Sequence, residues 1–257
     1  MNRDKSQAFI SIITVVRNAE DYISATMKSV FSQSAFDQIE YIVLDGKSTD
    51  KTICIIEQNI DQISFFKSEK DTGVYDAMNK GLKIASGEFI LFLNAGDELA
   101  SKDIIQNIIN SADEELDLIY GETNIIDQTR SILGTRTELT SRKLPQHLQK
   151  NDFLNGQVVS HQSFIARRNI SPEYNLNYRC SADTDWMIQI ISKARQSINI
   201  NQPISNYLVG GISDRQLGQC WKERFFILLK YFSPFSVLIA HIGFAFRFIK
   251  IGRYKDH

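Results

Sequence analysis

Cysteine and proline are both scarce in this sequence. Its 257 residues include three cysteines, at positions 54, 180 and 220, and four prolines. Because the cysteines are far apart, odd in number and form no Cys-x-x-Cys pair, they indicate neither a disulfide framework nor a zinc site. We expect reduced thiols that pack in the interior of a cytosolic protein. So few prolines, without any low-complexity run, argue against long disordered linkers.

A strong charge of either sign is also missing. Lys and Arg together number 29, Asp and Glu number 30, and the formal net charge is −1. This balance gives no overall field that would recruit nucleic acid, so no nucleic-acid partner is expected. The first apolar run, from about Phe9, is too short and too β-branched for the apolar region of a signal peptide, and it does not indicate export.

Two glycine-rich nucleotide motifs are absent. No Gly-x-Gly-x-x-Gly follows the first apolar run, and no Gly-x-x-x-x-Gly-Lys-Ser/Thr occurs in the chain. The sequence therefore disfavours a Rossmann dehydrogenase and a P-loop NTPase. A nucleotide can instead be held by carboxylates, which accept hydrogen bonds from a ribose or a base, or which hold a divalent metal against a diphosphate.

Apolar strand-like runs alternate with helical segments along the first 110 residues. The predicted strands are 9–16, 39–44, 63–66 and 88–93, and the predicted helices are 21–33, 50–60, 74–85 and 101–110. This alternation predicts a parallel sheet with helices on both faces. Beyond residue 117 the pattern loosens into short strands, then a helix and a loop after residue 140, the strand VVSHQSFIA, and an amphipathic helix over 183–193.

Each of the first four predicted strands ends in polar or acidic residues. These ends are Arg17-Asn18, Asp45-Gly46, Glu69-Lys70-Asp71, and residues 94–97. In open α/β sheets, ligands bind beyond the carboxyl ends of the strands, so the four clusters are expected to converge on one crevice. Acidic residues also favour loops and helix starts, but four successive strand ends are better explained by a site.

The motifs TVVRN, VLDGKSTD and EKDTGVYDAMNKGLKIASGEFILFLNAGD occur in this order, and VVSHQSFIARR and SADTDW follow them. Together they resemble family 2 glycosyltransferases over roughly residues 9–215, and most of all the small bacterial members that assemble capsule, O-antigen or colanic-acid-type polysaccharides. The resemblance implies an α/β, GT-A (Rossmann-like) fold, with a mostly parallel central sheet flanked by helices. We expect a catalytic domain at 1–220, with a nucleotide-sugar-binding half (1–115) and an acceptor half (116–220), followed by a C-terminal amphipathic helical tail (221–257).

The implied reaction is an inverting transfer of a hexose-type sugar from a UDP-sugar to a polyprenyl-diphosphate-linked glycan. A GDP- or dTDP-sugar donor is a same-fold alternative, because a single strand-end carboxylate does not specify the base. A nucleotidyltransferase is a second alternative, although the Gly-rich basic loop expected after its first strand is absent from TVVRNAEDY. A non-catalytic sugar-nucleotide-binding protein is a third.

The resemblance also implies a donor site. Its expected members are the residues of the strand ends and the following loops: Thr14, Val16, Asn18, Asp45, Lys70, Asp71 and Asn94. The first three would line the base pocket, Asp45 would bind uracil or ribose, and Lys70 and Asp71 would close over the nucleotide. The family's Asp-x-Asp metal motif is thinned here to Asn94-Ala95-Gly96-Asp97, which leaves Asp97 as the candidate ligand for Mg²⁺ or Mn²⁺. The amide of Asn94 could still orient the ribose.

On the acceptor side, Asp183 aligns with the family's general base, which deprotonates the acceptor hydroxyl. A helix N-cap is the structural alternative for Asp183, and Asp185 is the runner-up for the base. His161 would face the diphosphate or the acceptor, or serve as a buried structural histidine. Arg215, after the glycines at 210 and 211, could close over the diphosphate, although a plain turn fits these glycines equally well.

The segment 221–257 differs in composition from the rest of the chain. It carries seven basic and two acidic residues and ten of the aromatics. Its longest charge-free run, residues 231–246, falls short of the ~20 residues that a spanning helix needs. Basic residues beside a large aromatic surface suit helices in a membrane interface, which would make the protein peripheral on the cytoplasmic face of the inner membrane. Packing on the core or a homo-oligomer contact is the alternative.

Overall fold

The computed structural model describes residues 8–140, 142–210 and 217–251. Within these ranges one nine-stranded sheet runs through the protein, and helices cover both of its faces. The strands are β1 (Ile10–Val16), β2 (Ile39–Asp45), β3 (Phe65–Ser68), β4 (Phe89–Phe92), β5 (Glu98–Leu99), β6 (Leu116–Ile126), β7 (Ile132–Thr135), β8 (Phe164–Arg167) and β9 (Gln196–Leu208). The helices are α1 (Ile23–Phe31), α2 (Thr52–Glu57), α3 (Val74–Ile84), α4 (Ile104–Ser111), α5 (Arg136–Leu139), α6 (Ala182–Ile191), α7 (Leu217–Tyr231) and α8 (Pro234–Ile251).

The first four long strands form the parallel part of the sheet, in the order β3-β2-β1-β4. Every residue of β1 is buried, as expected for a strand that is covered on both faces and reads as a continuous apolar run. Val16 lies opposite Asp45, and Asp45 lies opposite Ser68, so the carboxyl ends of three neighbouring strands are level. The loops that follow these strands therefore leave the sheet at the same edge.

The second half of the chain turns the sheet into a mixed one. Strand β8 pairs antiparallel with both β4 and β6, while β9 runs parallel to β6. Two antiparallel steps restore the direction of β4, so the carboxyl end of β6 lies at the same edge as the ends of β1 to β4. The short strands β5 and β7 add antiparallel pairs to β9 and β6.

Two hydrophobic cores lie on opposite faces of the sheet. On one face, α1, α2 and α4 pack on the strands, with Tyr41 among the largest fully buried side chains. On the other face, α3, α6, α7 and α8 pack around Trp186. The predicted helices of the first 110 residues are all present, although α2 ends at Glu57 and is followed by a separate 3₁₀ turn at Ile60–Gln62.

The predictions for residues 140–165 are largely wrong. No α-helix occurs in 142–163, where the chain forms only the 3₁₀ turns Lys150–Phe153 and His161–Ser163. The predicted strand VVSHQSFIA is observed only as the shorter strand β8, because His161–Ser163 form a buried 3₁₀ turn. Strand β9 was not predicted, since its sequence QSININQPISNYL is polar, contains a proline and is only partly buried.

The C-terminal segment is part of the folded core. Helix α7 begins at Leu217 and so crosses the predicted domain boundary at residue 220. Ile227 and Leu228 of α7, together with Val237 of α8, are fully buried in the core that surrounds Trp186. In the part of the chain that the structure describes, no helix has the length and apolarity needed to span a membrane.

Candidate active site

Asp45 is the last residue of β2, at the sheet edge where the carboxyl ends of β1 to β3 lie side by side. Only 2% of its surface is exposed. Its carboxylate accepts hydrogen bonds from the backbone N–H of Ser48, at 3.1 Å to Oδ2, and from the Ser48 hydroxyl. The Ser68 hydroxyl, at the end of β3, also donates to Oδ2 at 2.6 Å. These serines fix the orientation of the carboxylate on two sides, which preorganises an acceptor at the strand ends.

Asn18 connects the loop after β1 to the loop after β2. Its backbone has φ 49°, a left-handed conformation that asparagine tolerates better than most residues. Its N–H donates to the Ser48 hydroxyl at 2.8 Å, and its Oδ1 accepts from the backbone N–H of Thr49 at 2.8 Å. Val16, at the end of β1, is buried in the core beneath this loop.

Thr14 lies below the strand ends and does not reach the edge with its side chain. It is fully buried, and its hydroxyl donates to the Leu93 carbonyl at 2.7 Å and lies 3.1 Å from the hydroxyl of Tyr41. The Thr14 side chain therefore connects β1 to the residue after β4 and to β2, and its role in a base pocket stays a prediction.

The loops after β1, β2 and β3 meet around Gly46. A Cβ atom at this position would overlap Oδ2 of Asp71 and lie 3.4 Å from Cδ of Arg17, so a side chain here would require the Asp71 carboxylate to move. Asp71 also accepts a hydrogen bond on Oδ1 from the N–H of Gly73 at 3.0 Å. Lys70 is exposed, and its carbonyl accepts from Nζ of Lys80 at 3.0 Å. The predicted convergence of strand ends is therefore observed for these loops.

Residues 94–97 form a tight turn after β4. The N–H of Asp97 donates to the Asn94 carbonyl at 3.0 Å, and Gly96 has φ 107°, a conformation that favours glycine. Arg130, in the loop between β6 and β7, donates from Nη1 to the Gly96 carbonyl at 2.7 Å. Oδ1 of Asn94 is buried and has no hydrogen-bond partner among the residues that the structure describes. An amide oxygen in this state can still accept a hydrogen bond or ligate a cation.

Asp97 is buried, and each of its carboxylate oxygens accepts one hydrogen bond. Nε2 of Gln162 donates to Oδ2 at 2.8 Å, and the N–H of Leu208 donates to Oδ1 at 3.2 Å. Burial raises the pKa of Asp97 to about 7, against the opposing effect of these two hydrogen bonds. Over the described ranges, no group of three or more His, Cys, Asp or Glu residues is arranged to hold a metal. Gln162 was missed from the sequence because its position beside His161 carried no signal of its own.

His161 belongs to a buried aromatic cluster and not to an open surface. Its ring stacks on Phe92 at 5.2 Å between centroids and meets Trp186 edge-on at 5.5 Å. Nε2 lies 2.7 Å from the hydroxyl of Tyr174. Burial lowers the pKa of His161 to about 4, although the charge of Asp183 acts in the opposite direction. Its neighbours match the structural alternative, a satisfied neutral histidine in the core.

The two carboxylates in the first turn of α6 have different surroundings. Asp183 is partly exposed, and its Oδ1 accepts a long hydrogen bond, 3.4 Å, from the hydroxyl of Tyr75. Asp185 is buried, with its Oδ1 accepting from the Tyr231 hydroxyl at 2.8 Å and lying 3.5 Å from Nζ of Lys230. The N-cap of α6 is Ser181, so the structural alternative for Asp183, an N-cap, is not what the structure shows.

Asp183 also acts electrostatically on its aromatic neighbours. The pKa values of Tyr75 and Tyr174 are both raised, first by burial and then by the negative charge of Asp183. Both tyrosines therefore stay protonated at neutral pH and can donate hydrogen bonds. Asp183 thus lies beside tyrosine hydroxyls that can donate to it, and the Tyr75 hydroxyl does so.

One predicted element of the site is not described. Arg215 and residues 211–214 lie outside the described ranges. Gly210, the last residue before this segment, has φ 97°, which agrees with a turn at this point.

Known proteins resemble this chain in sequence and in structure. The model of the family described as glycosyl transferase family 2 matches residues 11–174. A "PGL/p-HBAD biosynthesis glycosyltransferase" of Mycobacterium tuberculosis is 32% identical over 191 residues, which cover 71% of this chain and 69% of the relative.

Two solved structures share the fold at low sequence identity. TarS 1–349 of S. aureus, crystallised with UDP-GlcNAc, is 17% identical with a TM-score of 0.66, over 96% of this chain and 74% of TarS. The mannosyltransferase PcManGT of Pyrobaculum calidifontis, in complex with GDP-Man and Mn²⁺, is 14% identical with a TM-score of 0.67, over 91% and 69% of the two chains. These likenesses confirm the predicted GT-A fold class.

Proposed function

This chain belongs to glycosyl transferase family 2. We propose that it transfers one sugar from a nucleoside-diphosphate sugar to a lipid-linked glycan, with inversion at the anomeric carbon.

 The donor is a UDP-sugar in this proposal. GDP- and dTDP-sugars are the alternatives that the experiment below separates. Family membership weighs against a nucleotidyltransferase.

The observation that carries the proposal is the contrast between the two carboxylates of α6. A general base must lie within hydrogen-bond reach of the acceptor hydroxyl and must keep lone pairs for its proton. Asp185 is buried and engaged by Tyr231 and by Nε2 of Gln189, at 3.1 Å. Asp183 is partly exposed and accepts only a long hydrogen bond among those described. This difference supports Asp183 as the base and gives Asp185 a structural role.

The proposed step is a single displacement. Asp183 takes the proton from the acceptor hydroxyl while the acceptor oxygen forms a bond to the anomeric carbon. The bond between that carbon and the diphosphate oxygen breaks, and its electron pair leaves with the nucleoside diphosphate. Because attack and departure occur on opposite faces of the sugar, the configuration at the anomeric carbon inverts. Tyr75, which stays protonated, holds the Asp183 carboxylate in place.

The donor site in this proposal lies at the carboxyl ends of β1 to β3. Asp45, held by Ser48 and Ser68, accepts hydrogen bonds from the ribose or the base. Asn18 and Asp71 border the same loops, and Gly73 leaves open space before α3. TarS was crystallised with UDP-GlcNAc, and PcManGT with GDP-Man, so the fold accommodates either base. The UDP-sugar is the donor to test first.

The turn after β4 fits a divalent cation with few protein ligands. Oδ1 of Asn94 is buried without a described hydrogen-bond partner, and Asp97 supplies a carboxylate three residues later. Both are oxygen donors, the type that Mg²⁺ and Mn²⁺ prefer, and the remaining positions would be filled by water and phosphate oxygens. When bound, the cation supplies positive charge that stabilises the leaving diphosphate. Gln162 and the Leu208 N–H keep the Asp97 carboxylate oriented.

The C-terminal helices support a lipid-linked acceptor. Four exposed apolar side chains of α8 recur at helical spacing and so share one face: Phe235, Leu238, Ile239 and Ile242. Phe226 of α7 is exposed as well, and residues 221–257 carry seven basic and two acidic residues. We call this apolar face of α8 the α8 face. Its chemistry suits the interface of an anionic membrane, which would bring a polyprenyl-diphosphate-linked acceptor to the active site.

The experiment is a donor screen followed by product analysis. Thermal shift with UDP-, GDP- and dTDP-sugars, each with and without Mn²⁺, identifies the donor, because a ligand that binds the folded state raises its apparent stability. The bound donor is then incubated with polyprenyl-diphosphate-linked saccharides, and NMR of the product reports the anomeric configuration. We expect a UDP-sugar to bind and the configuration to invert. Retention of configuration, or stabilisation by no nucleotide sugar, would contradict the proposal.

A further inference from the structure

Glu223 is a buried carboxylate on α7 that the reaction described above does not use. Only 5% of its surface is exposed, and it accepts hydrogen bonds from three successive backbone N–H groups. The donors are Arg179, at 2.9 Å to Oε1, and Cys180 and Ser181, at 3.0 and 3.1 Å to Oε2. Burial raises the pKa of Glu223, but the hydrogen bonds from Arg179, Cys180 and Gln219 together outweigh this effect and hold the pKa below its ordinary value. The group is therefore ionised at neutral pH.

The three N–H groups belong to the segment that leads into α6. Helix N-termini are usually capped by a side chain a few residues away in sequence. Ser181 occupies the N-cap position, yet its own hydroxyl caps nothing and donates instead to the Cys220 carbonyl at 3.2 Å. The cap comes from α7 instead. The N–H of Ser181 donates to the carboxylate of Glu223, which is 42 residues further along the chain.

Helix α7 holds the first turn of α6 at a second point. Tyr231, eight residues after Glu223, donates its hydroxyl to Oδ1 of Asp185 at 2.8 Å. Asp183 lies between the two attachments, two residues after Ser181 and two residues before Asp185. The backbone that carries Asp183 is therefore fixed to α7 on both sides.

We propose that Glu223 is a positioning residue for the transfer reaction, which holds the first turn of α6 so that Asp183 reaches the acceptor hydroxyl. This inference rests on the proposed role of Asp183 as the general base. Glu223 itself contacts neither substrate in this account. Its contribution is geometric, since a base that is displaced by about 1 Å loses much of its rate advantage, on the order of 10²-fold in unfavourable cases.

The charge and shape of Glu223 suggest a selective variant. In Glu223→Gln one of the two acceptor oxygens becomes an NH₂ group, which cannot accept from a backbone N–H. The variant keeps the volume of the side chain and leaves β1 to β4 untouched. Asp117→Asn is the matched control, because Asp117 is also buried and also accepts a backbone N–H, from Arg195 at 2.9 Å. Asp117 lies near the start of β6, at the sheet edge opposite the strand ends that form the site.

The experiment measures kcat, the KM for the nucleotide sugar and the nucleotide affinity of both variants. We expect Glu223→Gln to lower kcat by about tenfold or more while KM and nucleotide affinity stay within about twofold of wild type. Hydrogen exchange of the peptide containing residues 179–181 should accelerate in this variant and not in Asp117→Asn. The control should lose thermal stability and keep its kcat. A kcat within about twofold of wild type in Glu223→Gln, or an equal loss of kcat in the control, would overturn the inference.

A milder variant keeps the test decisive if Glu223→Gln does not fold. Glu223→Asp retains the carboxylate charge, but its side chain is one methylene shorter and reaches less far toward residues 179–181. We expect kcat to fall about threefold or more at unchanged nucleotide affinity. In that case a wild-type kcat overturns the inference. The failure of the proposed function has a different signature: Asp183→Asn would then retain its activity, whatever the Glu223 variants do.

Discussion

The hydroxyl of Tyr75, at the start of α3, donates a hydrogen bond to Oδ1 of Asp183, in the first turn of α6, across 3.4 Å. The two residues are 108 positions apart in the chain. Helix α3 follows the loop that contains Asp71, so this contact joins the loops of the proposed donor site to the proposed general base. Tyr75 remains protonated because burial and the charge of Asp183 both raise its pKa.

Removal of the Tyr75 hydroxyl should weaken catalysis without abolishing it. A hydrogen bond to a charged group contributes about 1.5–3 kcal/mol, and this one is long, so we expect Tyr75→Phe to lower kcat by roughly three- to tenfold. Steady-state kinetics with saturating donor measures the change. Tyr41→Phe is the control, because Tyr41 is a buried tyrosine in the core on the other face of the sheet. Equal kcat values for the two variants would show that the Tyr75 hydroxyl has no special effect.

Metal binding should depend on the protonation of Asp97. Its pKa of about 7 exceeds the unfolded value, so the buried carboxyl stabilises the fold below about pH 4, and this stability is lost as the pH rises through about 7. A cation that ligates the carboxylate competes with this proton, so it should bind more tightly above pH 7. We expect Mn²⁺ to raise the Tm more at pH 8 than at pH 5.5, and Asp97→Asn to lose most of the difference. A pH-independent shift would count against Asp97 as the ligand.

His161 should make the fold sensitive to acid. Its folded pKa of about 4 is below the unfolded value of about 6.5, so its contribution to stability is present above pH 6.5 and lost as the pH falls through 4. The loss amounts to about 3 kcal/mol for this group alone. Urea unfolding of wild type and His161→Phe at pH 7 and pH 4.5 measures it. The variant should show the smaller acid destabilisation, and parallel pH dependences would rule out this role.

The α8 face should determine binding to anionic vesicles. We expect wild-type protein to sediment with phosphatidylglycerol-containing vesicles, and the combined replacement of Phe235, Leu238 and Ile239 by serine to reduce this binding several-fold. Replacement of Ile132 and Leu133, exposed apolar residues of β7, by serine is the control and should have no effect. If the α8 variant instead changes a dimer to a monomer in sedimentation velocity, the face is a contact between copies. Truncation before Trp221 is unsuitable here, because it would remove buried core residues of α7 and α8.

Much of the donor half could be predicted from local pattern. Strand β1 is a continuous β-branched run, and its end is marked by Arg17-Asn18, where polarity returns. Parallel strands that end in polar residues bring those ends to one edge of the sheet, which is why the loops carrying Gly46 and Asp71 could be expected to meet. The second half of the sheet lacked such a signal, because the polar strand β9 is ordered by its long pairing with β6.

The acceptor side depends on contacts that are distant in sequence. Asp183 and Asp185 are two residues apart on a helix and so point about 200° away from each other, but the sequence does not say which side faces the core. Tyr231 and Lys230 decide this, because they approach Asp185 from α7. The same holds for Gln162, whose contact with Asp97 spans 65 residues. Composition marked the C-terminal segment as a separate tail, whereas its helices complete the core around Trp186.

The most direct test of the central claim is the kcat of Asp183→Asn, measured with saturating nucleotide sugar and acceptor. Asparagine keeps the size of the side chain and cannot take a proton at neutral pH, so removal of the general base should lower kcat by about 10²–10⁴-fold. Nucleotide affinity, measured by calorimetry, should remain at the wild-type value, because the proposed role of Asp183 is toward the acceptor and not the nucleotide. A kcat within a few-fold of wild type, with nucleotide binding intact, would contradict the account.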